Sequence, residues 1–203
     1  MGATAAAAFA RLTERPVRTG SLDRDTSRSG TRTLRWVEAG EGTPLVLVSG
    51  AGEVNLTWAT VFDALSERGR VIAYDRAGLG DSDPLDLVTG SAEVDDLTAL
   101  LDLVGPAVLV GHSWGGLLAQ LAAWARRGQP ARRPMRRMGG SAACRGVLAG
   151  RSPGRPGDQA LRLHRTVVAA APRGQYVEVD SGHDIQREHP DAVVETVDHV
   201  LEA

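Results

Sequence analysis

The sequence predicts an α/β fold with a mostly parallel central sheet and helices on both faces. Two observations carry this. Three short apolar runs, Leu45-Val46-Leu47-Val48, Arg70-Val71-Ile72-Ala73-Tyr74 and Ala107-Val108-Leu109-Val110, are continuous rather than alternating, as strands buried on both faces must be. The stretches between them carry apolar residues at helical spacing, and parallel strands need such crossovers.

The elements follow in order. Residues 1–30 show no apolar periodicity and read as a poorly ordered N-terminal arm, with 31–203 as a single domain. Thr33 to Glu38 alternates as a strand, Gly40-Glu41-Gly42 turns the chain, and the first apolar run ends in the loop Ser49-Gly50-Ala51-Gly52. Trp58, Val61, Phe62 and Leu65 mark a helix stopped by Gly69, and the second run follows. After a polar loop over 75–84, Ser91 offers an N-cap to a helix presenting Val94, Leu97, Leu100 and Leu101, which Gly105-Pro106 ends. The third run enters Gly111-His112-Ser113-Trp114-Gly115-Gly116, with Leu117, Leu118, Leu121 and Trp124 continuing at helical spacing. Residues 125–157 break the pattern as an irregular insert with nine Arg and no Asp or Glu up to Asp158, interrupted by a strand candidate Gly146-Val147-Leu148-Ala149. A helix candidate from Asp158 to Ala171, a strand Gln175 to Val179, a loop with Gly182-His183 and a helix Pro190 to Leu201 close the chain.

Composition narrows the function classes. The 203 residues carry a formal net charge of -2, so no global basic field favours nucleic acid and no acidic excess marks a disordered tail. No run of 18 apolar residues occurs and no basic segment precedes the Ala-rich start, so neither a membrane span nor a signal peptide is expected. Cys144 is the single cysteine, which excludes an intramolecular disulfide and a cysteine metal cluster and fits a reducing cytoplasm. All 23 basic residues are Arg, a bias we assign to GC-rich coding.

A Gly-x-Ser-x-Gly match arises by chance about 0.15 times in a chain of this length and composition, so its context carries the weight. A nucleophile elbow needs a strand before it, a helix after it and small residues beside a strained Ser, and residues 108–124 meet all three conditions. Ser113 is therefore the candidate nucleophile; the plain alternative is a Gly-rich turn whose Ser caps the helix. Acyl chemistry also needs two backbone donors for the oxyanion, and the amides of Trp114 and Ala51 fit, the latter in a loop that could equally be a simple connection. Among five histidines, His183 follows Gly182 in a loop after a strand, where a base can reach the sheet edge that carries Ser113. His112 is expected to point away from Ser113, and His164, His189 and His199 fall in or at the start of helices.

These motifs together, with Tyr74-Asp75-Arg76-Ala77-Gly78-Leu79-Gly80-Asp81-Ser82-Asp83 and Ser181-Gly182-His183-Asp184, resemble the α/β-hydrolase superfamily in its small lipase, esterase and peroxidase-like branch, over about 31–124 and 146–203. The resemblance implies Ser113 as nucleophile, His183 as base, Ala51 and Trp114 as oxyanion donors, and Asp75 as a shaper of its loop. It places the acid after a late strand and some 25 to 30 residues before the His, which selects Asp158, the only acid between Asp102 and Glu178; Asp158 could equally cap the helix it begins. It also implies that dehalogenases and epoxide hydrolases, which carry Asp at the elbow, are disfavoured by a Ser. Relatives usually carry a further strand after the elbow helix and a cap over the site, and Arg126 to Arg145 supplies neither.

The expected function is a serine hydrolase of carboxylic esters or a related acyl bond, with no cofactor, no metal, no nucleic acid and no membrane partner, acting on small soluble substrates at an open site. Two further readings stand beside it: a catalytically impaired remnant whose Arg-rich middle is a frame-shifted scar, and an anion-binding protein using the Arg-rich loop.

Overall fold

The computed structural model describes residues 4–26, 30–84, 89–126, 146–150 and 175–202. Asp158, the helix expected over 158–171, Cys144, His164 and most of the Arg-rich insert lie outside them. In chain order the elements are α1 (Ala5–Phe9), β1 (Arg18–Thr26), β2 (Gly30–Ala39), β3 (Pro44–Val48), a single 3-10 turn (Asn55–Trp58), α2 (Ala59–Ser66), β4 (Arg70–Asp75), α3 (Gly90–Val104), β5 (Val108–Gly111), α4 (Trp114–Ala125), β6 (Gly146–Gly150), β7 (Gln175–Val179), α5 (Ile185–Glu188) and α6 (Pro190–Glu202).

The main sheet has the order β1-β2-β4-β3-β5 and is mixed. β3 runs parallel to both β4 and β5, Val46 facing Ile72 on one side and Leu109 on the other, whereas β2 joins β4 antiparallel. Among the described residues, β6 and β7 pair in parallel as a second, two-stranded sheet.

Side-chain alternation along these strands sorts the core into two layers, one per face. Leu45, Leu47, Val71 and Ala73 pack with Trp58, Val61, Phe62 and Leu65 of α2 and its preceding turn, and with Val193, Val194 and Val197 of α6. Val46, Val48, Ile72 and Tyr74 point the other way, onto Leu97, Leu100 and Leu101 of α3 and Leu118, Ala119 and Ala122 of α4. Each fully buried Leu, Val or Phe in these layers contributes about 1.5–3 kcal/mol over its exposed state. Of the apolar residues at helical spacing on α4, Leu117, Leu121 and Trp124 are exposed, so the sheet takes only the Leu118 side of that helix.

The N-terminal arm departs from expectation. Phe9 is fully buried, its ring edge-on to Phe62 at 4.6 Å, and the amides of Glu14 and Arg15 donate to the Asp63 carboxylate. β1 then pairs antiparallel with β2 from Gly30 to Glu38. Its sequence, Arg-Thr-Gly-Ser-Leu-Asp-Arg-Asp-Thr, hides this because an edge strand needs little apolar surface of its own. The Trp36 ring lies across Gly20, where a Cβ would stand 2.1 Å from it. A smaller correction concerns α3: its N-cap is Thr89, whose Oγ1 accepts the Ala92 amide, rather than Ser91.

Candidate active site

Ser113 sits where β5 turns into α4, with φ 51° and ψ −119°, and is the single non-glycine among the described residues with positive φ. Holding a side chain in that conformation costs of order 1–3 kcal/mol and persists only where the surroundings enforce it. The surroundings here are glycines. A Cβ on Gly111 would stand 2.6 Å from the Gly115 carbonyl, and one on Gly115 would stand 2.1 Å from the carbonyl of Val48, so the elbow closes directly on the end of β3. The His112 amide donates to Val48 O at 3.0 Å and the Gly115 amide to His112 O at 2.8 Å, fixing the turn at both ends. Ser113 is exposed, and Trp114 opens α4, where its amide has no preceding helical carbonyl to bond.

Ala51 is exposed in the loop after β3. That loop is held by charged groups on both sides. The Gly50 amide donates to Glu53 Oε2 at 2.7 Å, while the Gly50 carbonyl accepts from Arg76 Nη2. Arg76 is buried against Glu93, and the other oxygen of Glu93 accepts the Trp114 indole N–H at 2.9 Å. One buried ion pair thus spans the β3 loop and the start of α4. Below it, the Asp75 carboxylate accepts the amides of Asn55 at 2.8 Å and Asp81 at 3.1 Å and packs against Gly80, which shapes the loop after β4. Burial pushes the Asp75 carboxyl above the ordinary range, and these two amides only partly offset it.

His183 is exposed in the loop between β7 and α5. Glu188 folds that loop, accepting the Gly182 amide at 2.7 Å and the Ser181 hydroxyl at 3.3 Å. The loop meets the elbow through His112: the His112 and His183 rings lie 4.8 Å apart, and His112 Nε2 bonds the His183 carbonyl oxygen at 2.9 Å. His112 is buried, and its Nδ1 meets Glu53 Oε2 at 2.9 Å. His112 and Glu53 are the residues the sequence reading missed. The available signals were an acid three positions after the glycine of a candidate oxyanion loop and a His beside the candidate nucleophile.

The structure therefore brings Ser113, Trp114 and the His183 loop together around His112, and ties the loop carrying Ala51 to the same point through Glu53. Glu53, His112 and Asp184 are the described residues whose donor atoms come close enough to hold a metal ion, all within 4.8 Å. Both ring nitrogens of His112 are already engaged, by Glu53 and by the His183 carbonyl, so a cation there would have to displace these bonds. A cavity of about 150 Å³ between the β1–β2 hairpin and the loops after β3 and β4 is lined by Arg35, Trp36, Asn55, Asp75 and Asp81 among others. It takes in none of Ser113, Ala51, Trp114 or His183.

The family model described as "Alpha/beta hydrolase family" matches residues 45–172, more than half of the chain and a span that includes the elbow. The chain belongs to the alpha/beta hydrolase family. Within it, the chain is 39% identical over 100 residues to a soluble epoxide hydrolase from Corynebacterium sp. (strain C12), covering 46% of this chain and 34% of that protein. It is 38% identical over 95 residues to a pimeloyl-[acyl-carrier protein] methyl ester esterase from Aliivibrio fischeri (strain MJ11), covering 46% of this chain and 35% of that protein. The matched stretch thus spans about a third of the length of each of these two relatives. An esterase structure from Thermogutta terrifontis shares the fold with a TM-score of 0.66 over 90% of this chain and 98% of that one, at 18% identity. No helix among the described residues is long and apolar enough to cross a membrane.

Proposed function

We propose that this alpha/beta hydrolase is a serine hydrolase that cleaves carboxylic esters of small soluble substrates through an acyl-enzyme. The observation that carries the reading is Ser113 itself: a serine held at φ 51° by glycine packing, exposed at the N-terminus of a helix. Strain of this kind is maintained where it presents a reacting group. Ser113 Oγ attacks the acyl carbonyl, His183 takes its proton and returns it to the leaving alcohol, and water then releases the acid by the same steps. The amides of Ala51 and Trp114 hold the oxyanion, supported by the Arg76–Glu93 pair and by Glu53. Asp158 is the proposed acid that orients His183.

A serine at the elbow favours esters over epoxides and haloalkanes, and the methyl ester esterase among the relatives supports that choice. The lone Cys144 fits a reducing, cytoplasmic setting.

The test is labelling of the purified protein with a fluorophosphonate probe, read by intact mass and peptide mapping. The expected result is one adduct on Ser113, absent in Ser113→Ala and strongly slowed in His183→Ala and Asp158→Asn. A folded protein that takes no adduct would overturn the reading in favour of an impaired remnant.

A further inference from the structure

We infer that His112 is a positioning residue that acts as an imidazolium strut, one ring nitrogen holding the oxyanion loop through Glu53 and the other holding the backbone of His183. The inference deepens the proposed serine hydrolysis and rests on it for its catalytic consequence, though not for its geometry.

Donor counting carries it. Nδ1 lies 2.9 Å from a carboxylate oxygen and Nε2 lies 2.9 Å from a carbonyl oxygen. A carbonyl accepts only, and a carboxylate accepts only when ionised, so both contacts are hydrogen bonds only when each nitrogen bears a proton. The remaining possibility, a proton on Glu53, would turn Oε2 of that carboxyl into a hydroxyl and weaken it as an acceptor. Its Oε2 also accepts the Gly50 amide at 2.7 Å, and its Oε1 takes the Thr57 hydroxyl at 3.3 Å. Burial raises the Glu53 carboxyl, but bonds from His112, Gly50 and Thr57 outweigh it and hold the group below the ordinary range.

The groups facing the ring are consistent with a cation. Glu53 approaches from the β3 loop, and Asp184 Oδ1 stands 3.7 Å from Nε2 on the His loop. The His183 ring lies 4.8 Å away, and the nearby Arg76 is paired with Glu93. Space is as tight as charge: a Cβ on Gly50 would stand 2.5 Å from Glu53 Oε2 and 3.0 Å from His112 Nδ1, so glycine alone leaves room for the strut. A second link runs in parallel, from Glu53 through Thr57 to the Gln186 amide at 3.0 Å, again joining the β3 loop to the segment after His183.

The consequence is geometric. Nucleophile, oxyanion donors and base come from three separate loops, and a misplacement of about 1 Å costs on the order of 100-fold in rate. Removing the strut should therefore lower kcat while leaving KM within about twofold, because ground-state binding does not use it.

The experiment has two arms on the full chain. Long-range ¹H–¹⁵N spectra of the histidine rings, with His112 assigned by its loss in His112→Gln, should show both ring nitrogens protonated at neutral pH in wild type and only one in Glu53→Gln. Fluorophosphonate labelling and kcat for a small ester should fall on the order of 10- to 100-fold in His112→Ala. His112→Gln, whose amide reaches one acceptor at a time, should recover part of the loss. The near-isosteric Glu53→Gln guards against a variant that merely unfolds. A singly protonated His112 in wild type overturns the strut whatever the activity. An imidazolium with unchanged labelling in folded His112→Ala overturns its positioning role. A wild-type protein that shows the imidazolium yet takes no probe leaves the strut standing and removes the serine-hydrolase reading instead.

Discussion

Replacing Gly115 by alanine should destabilise the protein even though alanine is the better helix former. A Cβ there would lie 2.1 Å from Val48 O and 2.5 Å from Ser49 O, well inside the 3.0 Å that real Cβ contacts respect. Both neighbours are main-chain atoms of the strand end, so neither can swing aside as a side chain tip would. Overpacking of this kind costs about 1–3 kcal/mol. Moving Val48 also strains the 3.0 Å bond it accepts from the His112 amide, at about 1 kcal/mol. Helix propensity returns about 1 kcal/mol. The net loss is about 2 kcal/mol, or a Tm lower by about 4–8 °C for a chain of this size. Gly116→Ala is the internal comparison, because the nearest contact of its Cβ would be Gly111 O at 3.3 Å, a tight contact that the same propensity gain roughly cancels. Urea and thermal unfolding of the two variants beside wild type measure the difference. A Gly115→Ala protein as stable as wild type would refute the close approach of elbow and β3 on which the active-site geometry depends.

Three further outcomes follow from the same structure. Ser113→Gly should raise stability by about 1 kcal/mol, relief of positive-φ strain exceeding the added chain entropy, while abolishing probe labelling; a loss of stability in denaturant melts would contradict the strain. Arg76→Ala should cost about 3–5 kcal/mol, because it strands the buried Glu93 carboxylate and releases the Gly50 carbonyl, and Arg76→Ala/Glu93→Ala should cost less than the single change; equal costs in chemical denaturation would refute the pairing. Because the Glu53 carboxyl sits below its ordinary 4.5 in the folded state, its contribution is fully present above that value and is lost as pH falls through the depressed value. The stability advantage of wild type over Glu53→Gln should therefore shrink in acid, and an advantage that grows as pH is lowered would reverse the sign of the argument.

Where chemistry is local, the sequence was sufficient. Leu45 to Val48, Arg70 to Tyr74 and Val108 to Val110 announced buried strands because burial on both faces leaves no polar alternation, and each is a strand. The elbow was legible for the same reason: strand, glycine, serine, glycine and helix are contiguous, and the positive φ at Ser113 is a property of a few successive residues. Family membership followed from such contiguous motifs.

What depended on distant partners was not legible. β1 was missed because an edge strand draws its order from pairing with β2 and from a Trp36 ring laid across Gly20, neither of which its own polar sequence encodes. His112 was set aside as a poorer base candidate than His183, and its link from Glu53, 59 positions earlier, to His183, 71 positions later, went unread. No periodicity or motif spacing reports on such a pairing, since it exists only once three loops meet at one end of the sheet. The sequence by itself determined the buried strands and the strained turn at Ser113, because propensity and turn geometry are set by near neighbours. Only the tertiary structure decided which groups hold them in place, because hydrogen-bond partners and excluded volume at that end of the sheet come from segments far apart in the chain.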